Sequence, residues 1–232
     1  MTPAAYEYVG SDLLRLGEQL ANYNDSIAEL IVQRLPSTPR ILDFGAGFGT
    51  LTRLVAKYGV RPDCVEPDGR QRASLEADGF RCFENIADIP DGAYNFVYSS
   101  NVLEHIEDDA AALREIRRVL CDGGKLVVYL PAFQSIYTAV DAAIGHYRRY
   151  DARMIAKRIA DAGLHVECCY YADILGFVVS WVFKRISNRV ATVNVRTLRL
   201  YDRVIFPVSR AIERLWRPPF GKNVVAVAVR RG

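Results

Sequence analysis

Ile41-Leu-Asp-Phe-Gly-Ala-Gly-Phe-Gly-Thr50 decides the fold. A short strand, residues 40–44, runs straight into three spaced glycines, and a helical pattern opens at Thr50 and lasts to Tyr58. Glycine lets the backbone approach a ligand and lets the new helix pack close to the strand it has left. Outward from this turn, strand and helix patterns keep alternating. Residues 62–66 read as a second strand, 70–77 as a helix and 80–84 as a third strand. Residues 94–99 read as a fourth strand, 108–120 as a helix, and 121–124 as a turn. Residues 125–130 form the fifth strand, with the unbroken apolar character of a strand covered on both faces. A helix over 151–162 and strands over 165–171 and 224–229 complete the series. The pattern predicts an α/β fold: a doubly wound, mostly parallel seven-stranded sheet with helices on both faces.

Two flanking segments have their own character within a single domain of residues 1–232. Residues 1–38 are expected to form an N-terminal helical cap, since Leu13, Leu14, Leu16, Leu20, Ile27, Leu30, Ile31 and Leu35 recur at helical spacing over 11–35. Asn24-Asp-Ser26 offers a restart inside it, with Ser26 and Glu29 as a capping box. Residues 172–222 read as a helical insertion before the last strand. It carries ten Lys or Arg against three Asp or Glu, a local +7 in a chain whose net charge is +3, so the remainder sums to −4. Trp181, Phe183, Leu215 and Trp216 interleave with its arginines, an amphipathic, basic, aromatic-bearing pattern. That suits peripheral contact with an anionic membrane surface, or a lid or dimer helix packed on the core.

Half of the 232 residues are hydrophobic and a quarter are charged, which is globular composition and excludes a disordered or collagen-like chain. The five cysteines, Cys64, Cys82, Cys121, Cys168 and Cys169, are odd in number and lack zinc or redox spacing. A reducing cytoplasm is the expected setting, with the inner membrane face as a docking site. Glu7, Asp12 and Glu18 interrupt the N-terminus, so no signal peptide is expected. The longest apolar run, residues 174–183, would rise ~15 Å as a helix, about half a bilayer core, and is expected to lie on a membrane rather than cross one.

The glycine turn narrows the ligand. A dinucleotide fingerprint would need glycine at position 50, where Thr50 stands. Asp43 at the strand end would repel a pyrophosphate and suits a cationic amino-acid group. Glu66, at the end of the second strand, is placed to accept both hydroxyls of a ribose. A ribose at one end and an ammonium at the other describe S-adenosylmethionine better than NAD.

On these residues the chain resembles the class I S-adenosylmethionine-dependent methyltransferases. Ile41–Thr50 is similar to their first motif and Val65-Glu66-Pro-Asp68 to their second. Asn85-Ile86 stands where that family sets an acid and a small residue against adenine. Asn95 replaces an aspartate usual before the fourth strand. Ser99-Ser-Asn-Val-Leu-Glu-His105 looks like the segment flanking the methionine part of the cofactor. The resemblance implies that Asp43, Gly45, Ala46, Gly47, Glu66, Asn85, Ile86, Ser100 and His105 hold the cofactor, with Tyr23 capping it. Asn22-Tyr-Asn24 and Gly145-His-Tyr-Arg-Arg-Tyr150 also resemble a mostly uncharacterised bacterial subgroup often associated with glycosyltransferases.

The acceptor side is expected just beyond the fifth strand. Arginine pairs recognise carboxylate or phosphate bidentately, and histidine or tyrosine can take the proton that a methylated nucleophile loses. His146, Tyr150 and His105 are therefore the catalytic candidates. Tyr147, Arg148, Arg149 and Trp181 are the substrate-binding ones. Glu104, His105 and Asp108 have spacing compatible with a divalent cation, but acidic residues at this position are ordinary helix caps, and no metal is expected. His165, at a strand start, reads as surface. The expected reaction is methyl transfer to a small or lipid-linked, anionic acceptor. Three other classes stay open: an RNA methyltransferase, a non-catalytic cofactor-binding module, and a peripheral membrane module. Nucleic acid is disfavoured because the fifth strand runs into Leu130-Pro-Ala-Phe133 rather than an Asn-Pro-Pro-Tyr type motif.

Overall fold

A computed structural model of the chain describes residues 17, 19–186 and 195–232. Seven strands form one sheet in the order β3-β2-β1-β4-β5-β7-β6. They are β1 (Ile41–Phe44), β2 (Asp63–Val65), β3 (Cys82–Phe83), β4 (Tyr94–Ser100), β5 (Leu120–Pro131), β6 (His165–Ala172) and β7 (Asn223–Val229). All neighbours run parallel except β7, which is antiparallel to both β5 and β6. The expected mostly parallel, doubly wound sheet is the observed one.

Helices cover both faces: α1 (Ala21–Val32), α2 (Thr50–Ala56), α3 (Gly69–Ala77), α4 (Asp109–Val119), α5 (Ala139–Ala143) and α6 (Ala152–Asp161). Side chains alternate across a strand, so each central strand feeds two cores. Leu42, Val97, Leu126 and Val128 meet Leu113 and Ile116 of α4 and Ile155 and Ile159 of α6. Ile41, Phe96, Tyr98 and Val127 meet Ile27 and Ile31 of α1 and Val55 of α2. Burying each such aliphatic side chain contributes about 1.5–3 kcal/mol.

Three local expectations change. The turn at 121–124 is a bulge inside one long strand, since Tyr94 pairs with Leu120 but Phe96 with Lys125. The helix expected over 11–35 is observed as Ala21–Val32, while Leu13, Leu14 and Leu16 lie outside the described residues. Ser26 does not restart it, because its hydroxyl donates to the Tyr23 carbonyl at 2.9 Å from within the helix. The cap comes instead from the far end of the chain. Asp202 accepts from the N–H groups of Asn22 at 3.0 Å and Tyr23 at 2.9 Å.

Asp202 belongs to the segment between β6 and β7. It holds α7 (Ile174–Ile186), α8 (Val195–Leu200), a π turn (Tyr201–Ile205) and α9 (Phe206–Leu215). Val190 of this segment lies outside the described residues. The segment leaves β6 through Asp173, whose φ of 63° is left-handed and whose carboxylate accepts from the Tyr201 hydroxyl and from Gly176 N–H. Val178, Val179, Trp181 and Val182 of α7 are exposed. Among the described residues no helix is long and apolar enough to cross a membrane.

Candidate active site

The strand order turns back at β1, which has β2 on one side and β4 on the other. The connections leaving β1 and β4 diverge there and open a crevice beyond the strands' carboxyl ends. A cavity of about 470 Å³ occupies it. Tyr23, Asp43, Gly45, Ala46, Gly47, Glu66, Asn85, Ile86, Ser100 and His105 all line this cavity, together with Asn24, Asn101 and Val102 of the sequence motifs and with Gln71, which sequence reasoning did not single out.

The glycine loop is shaped by contacts no larger residue would allow. Gly45 has φ +82°, and a Cβ there would lie 2.4 Å from a Val102 methyl. The N–H groups of Gly45 and Ala46 donate to the Val65 carbonyl at 2.9 and 3.1 Å. Glu66 then pins the loop, its Oε2 accepting from Gly47 N–H at 2.7 Å and its Oε1 from Asp68 N–H at 2.9 Å. Burial raises the Glu66 carboxyl above its ordinary range, against these two N–H donors. Asn85 lines the cavity while its Oδ1 accepts from Ala87 N–H at 3.0 Å.

Asp43 sits deeper. Its Oδ2 accepts from the Thr52 hydroxyl at 2.6 Å and the Tyr98 hydroxyl at 2.8 Å. Burial pushes its carboxyl up to about 7, against both hydroxyl donors. The folded chain therefore holds a proton there that the unfolded chain, with an aspartate near 3.9, has lost. Stability should fall as pH rises through that interval, by up to about 1.4 kcal/mol per pH unit, and level off above it. Asp43→Asn should flatten the dependence, as measured by urea denaturation at pH 5.5 and 7.5; equal losses in both proteins would contradict it.

Tyr23 does more than border the cavity. Its hydroxyl hydrogen-bonds Asn101 and Tyr129. Its ring stands edge-on to Tyr129 at 5.7 Å and Phe206 at 5.4 Å. It thus ties α1 to β5 and to the insertion.

Beyond His105 lies a second group. The His105 and His146 rings meet edge-to-face at 4.5 Å. Burial and the neighbouring His146 push His105 down to about 4. His146 Nδ1 lies 3.0 Å from Asp141 Oδ1, and His146 Nε2 lies 3.9 Å from Glu104 Oε1. Asp141 also receives Arg149 at 2.7 Å and Thr138 N–H at 2.7 Å. Burial alone would raise the Asp141 carboxyl, but His146, Arg149 and Thr138 hold it well below the carboxylate range. Glu104 is fully buried, and neither of its carboxyl oxygens has a hydrogen-bond partner among the described residues. Burial pushes it up to about 8.

The remaining acceptor-side candidates have other tasks. Tyr150 is fully buried and its hydroxyl donates to Asp109 Oδ2 at 2.7 Å, so it anchors the loop instead of facing the cavity. Arg148 pairs with the same Asp109 oxygen at 2.9 Å and donates to the carbonyls of Ile106 and Glu107. Arg149 is committed to Asp141. Tyr147 is 55% exposed, with Arg148 over its ring. Trp181 is exposed on α7 under Arg185. Of these candidates and His146, His146 touches the cavity-lining His105 and Arg148 the carbonyl of the cavity-lining Ile106. Asp108, the third of the acids spaced for a cation, caps α4 by accepting from Ala111 N–H at 2.8 Å. Asp109 went unrecognised as a working part of the site, and Glu104 was weighed only as a cation ligand beside His105 and Asp108 or as a helix cap. Their sequence signal, acids at the start of a helix, is the same as that of ordinary caps.

With the geometry in place, comparison with known proteins is informative. A family model described as "Methyltransferase domain" matches residues 16–168. The dimethylglycine N-methyltransferase of Parasynechococcus marenigrum (strain WH8102) is 29% identical over 106 residues, 40% of this chain and 38% of that protein. The chain spans about two fifths of the length of the first curated relatives it matches. Among solved structures, a chain of the complex between the Haloferax volcanii Trm112 methyltransferase activator and a methyltransferase superposes with a TM-score of 0.64 at 16% identity, covering 97% of this chain and 98% of that one. Geranyl diphosphate C-methyltransferase from Streptomyces coelicolor A3(2), solved with Mg2+, geranyl diphosphate and S-adenosyl-L-homocysteine, gives 0.58 at 16% identity, covering 88% and 77%. At these identities the structural likeness shows the fold.

Proposed function

We propose, from the premise that this chain belongs to the methyltransferase-domain family, that it methylates a small or lipid-linked acceptor bearing phosphate or carboxylate. The chain is an S-adenosylmethionine-dependent enzyme. The observation that carries the proposal is the single cavity that joins the Gly45–Gly47 loop and Glu66 at one end to His105 at the other, with Glu104 and His146 behind it. Glycines whose Cβ atoms would fill the loop, and a carboxylate at the end of β2, fit an adenosyl group.

The bound cofactor supplies a methyl group on an electrophilic sulfur. What remains for the protein is alignment and the removal of a proton. Glu66 and Asn85 would orient the nucleoside. Glu104, His105 and His146 would form the acceptor-side wall and handle its proton. The relative named as a dimethylglycine N-methyltransferase acts on a molecule that carries a carboxylate, which is in keeping with an anionic acceptor. The insertion, with Trp181 and its exposed neighbours, would contact a lipid tail or the inner membrane face.

Incubation with methyl-labelled S-adenosylmethionine and a panel of sugar phosphates, lipid-linked sugar phosphates, carboxylated amines, phenols and RNA tests the proposal. Label should enter an acceptor bearing phosphate or carboxylate. Label entering RNA alone, with a steep salt dependence, would select the nucleic-acid reading. Cofactor binding without transfer to any member of the panel would select the non-catalytic one.

A further inference from the structure

We infer that Glu104, His105 and His146 form a binding site for a divalent transition-metal ion on the acceptor side of the cavity. Each offers one ligand atom, and the three atoms lie within 4.8 Å of one another. Ligands on a zinc-sized ion sit about 2.0–2.2 Å from it, hence about 3.4 Å apart in a tetrahedral arrangement. His146 Nε2 and Glu104 Oε1, at 3.9 Å, need to close by about half an ångström to reach that separation.

Three independent features of the surroundings point to a cation. The first is Glu104 itself. A fully buried carboxyl with neither oxygen hydrogen-bonded among the described residues is a costly arrangement, and a cation bound between it and the two imidazoles would relieve it. The second is the far side of each ring. His146 Nδ1 is held by Asp141 at 3.0 Å, and the His105 ring hydrogen-bonds the backbone at Ile144 and Gly145. His146 is oriented as metal-ligating histidines are, with Nδ1 fixed by a carboxylate and Nε2 turned toward Glu104. The third is rigidity between the two segments that supply the ligands. Tyr147 N–H donates to the Glu104 carbonyl at 2.8 Å, and Arg148 ties the next turn to Asp109 at 2.9 Å.

The donor set selects the ion. Two imidazoles and one carboxylate favour zinc, manganese, iron, cobalt or nickel over magnesium or calcium, which prefer all-oxygen sites. Three protein ligands leave at least one position open, and His105 places that opening on the cavity. An acceptor hydroxyl bound there would lose its proton to water more readily. That use rests on the methyl-transfer reading; the ion site does not.

Chelator-treated full-length protein should be titrated with Zn2+ by calorimetry and with Co2+ by visible absorption. One equivalent should bind, and Co2+ should give weak d–d bands without the intense thiolate charge-transfer band that the five free cysteines would produce. Glu104→Gln and His146→Ala should each raise the Zn2+ dissociation constant at least tenfold. Asp141→Asn, which weakens the support behind His146 and the pairing with Arg149 without altering a ligand atom, should raise it about tenfold. S-adenosylhomocysteine binding, measured on the same variants, reports whether the cavity is intact. Zn2+ binding unchanged in Glu104→Gln and His146→Ala, a thiolate band, or no binding up to millimolar Zn2+ would each overturn the inference. Failure there with S-adenosylhomocysteine still bound leaves the methyl-transfer reading standing, whereas loss of nucleoside binding in the wild-type protein would remove that reading.

Discussion

Replacing Glu66 by alanine should weaken S-adenosylmethionine binding by about 1.5–3 kcal/mol, a rise in Kd of roughly 10- to 150-fold. Two losses add in that number. Glu66 ends β2 inside the cavity, where its carboxylate is placed for the ribose hydroxyls, and hydrogen bonds to a charged group are the stronger kind. The same carboxylate accepts from Gly47 N–H at 2.7 Å and so holds the glycine loop in its binding shape. Alanine removes the ligand contact and the brace together. Glu66→Gln keeps one acceptor oxygen and should fall between the two. Calorimetry on folded protein checks this, and a change of less than twofold in Glu66→Ala would contradict it.

Asp109→Ala should produce the largest loss of stability, about 3 kcal/mol or more. At the usual 2–4 °C per kcal/mol for a chain of this size, Tm should drop by about 6–12 °C. Asp109 is fully buried and receives three donors: the Tyr150 hydroxyl at 2.7 Å, Arg148 at 2.9 Å, and Arg158. Those donors come from the 145–150 segment and from α6, so one carboxylate ties both to the first turn of α4. Removing it leaves a buried hydroxyl without an acceptor and two guanidinium groups without their counter-charge. Tyr150→Phe removes only one hydrogen bond and should cost about 1 kcal/mol. Thermal denaturation of the two variants separates the effects. A drop under 2 °C for Asp109→Ala would show that the pin is not what holds the segment.

The two halves of the site differed in how legible they were from sequence, and the reason is range. Every group expected to hold the cofactor except Tyr23, which lies in α1, sits at or near the end of a strand or in the turn that follows it. Local patterning places strand ends, so Asp43, Gly45, Glu66, Asn85 and Ser100 could be assigned to one crevice before any contact was known. The acceptor side depends on partners far along the chain. Arg148 and Tyr150 look like recognition residues until Asp109, 41 positions before Tyr150, is seen to take the hydroxyl. Asn22-Tyr-Asn24 stands out as a motif, but only the fold shows that Asp202, 180 positions beyond Asn22, accepts from its N–H and closes the helix end. Glu104 could be named as a candidate cation ligand, but only the fold shows it fully buried with no hydrogen-bond partner for its carboxyl among the described residues. Basic and apolar patterning marked the insertion as a helical unit. Its contacts with α1 and β6 depend on Asp173 and Asp202, single acids that carry no pattern.

The central claim is that the crevice at the carboxyl ends of β1, β2 and β4 is a nucleoside site for S-adenosylmethionine and not for a dinucleotide. Calorimetric titration of the wild-type protein with S-adenosylhomocysteine and, separately, with NAD tests it most directly. S-adenosylhomocysteine should bind one to one with a micromolar Kd, about −8 kcal/mol, and NAD should give no saturable heat. Saturable NAD binding with none for S-adenosylhomocysteine would contradict the account.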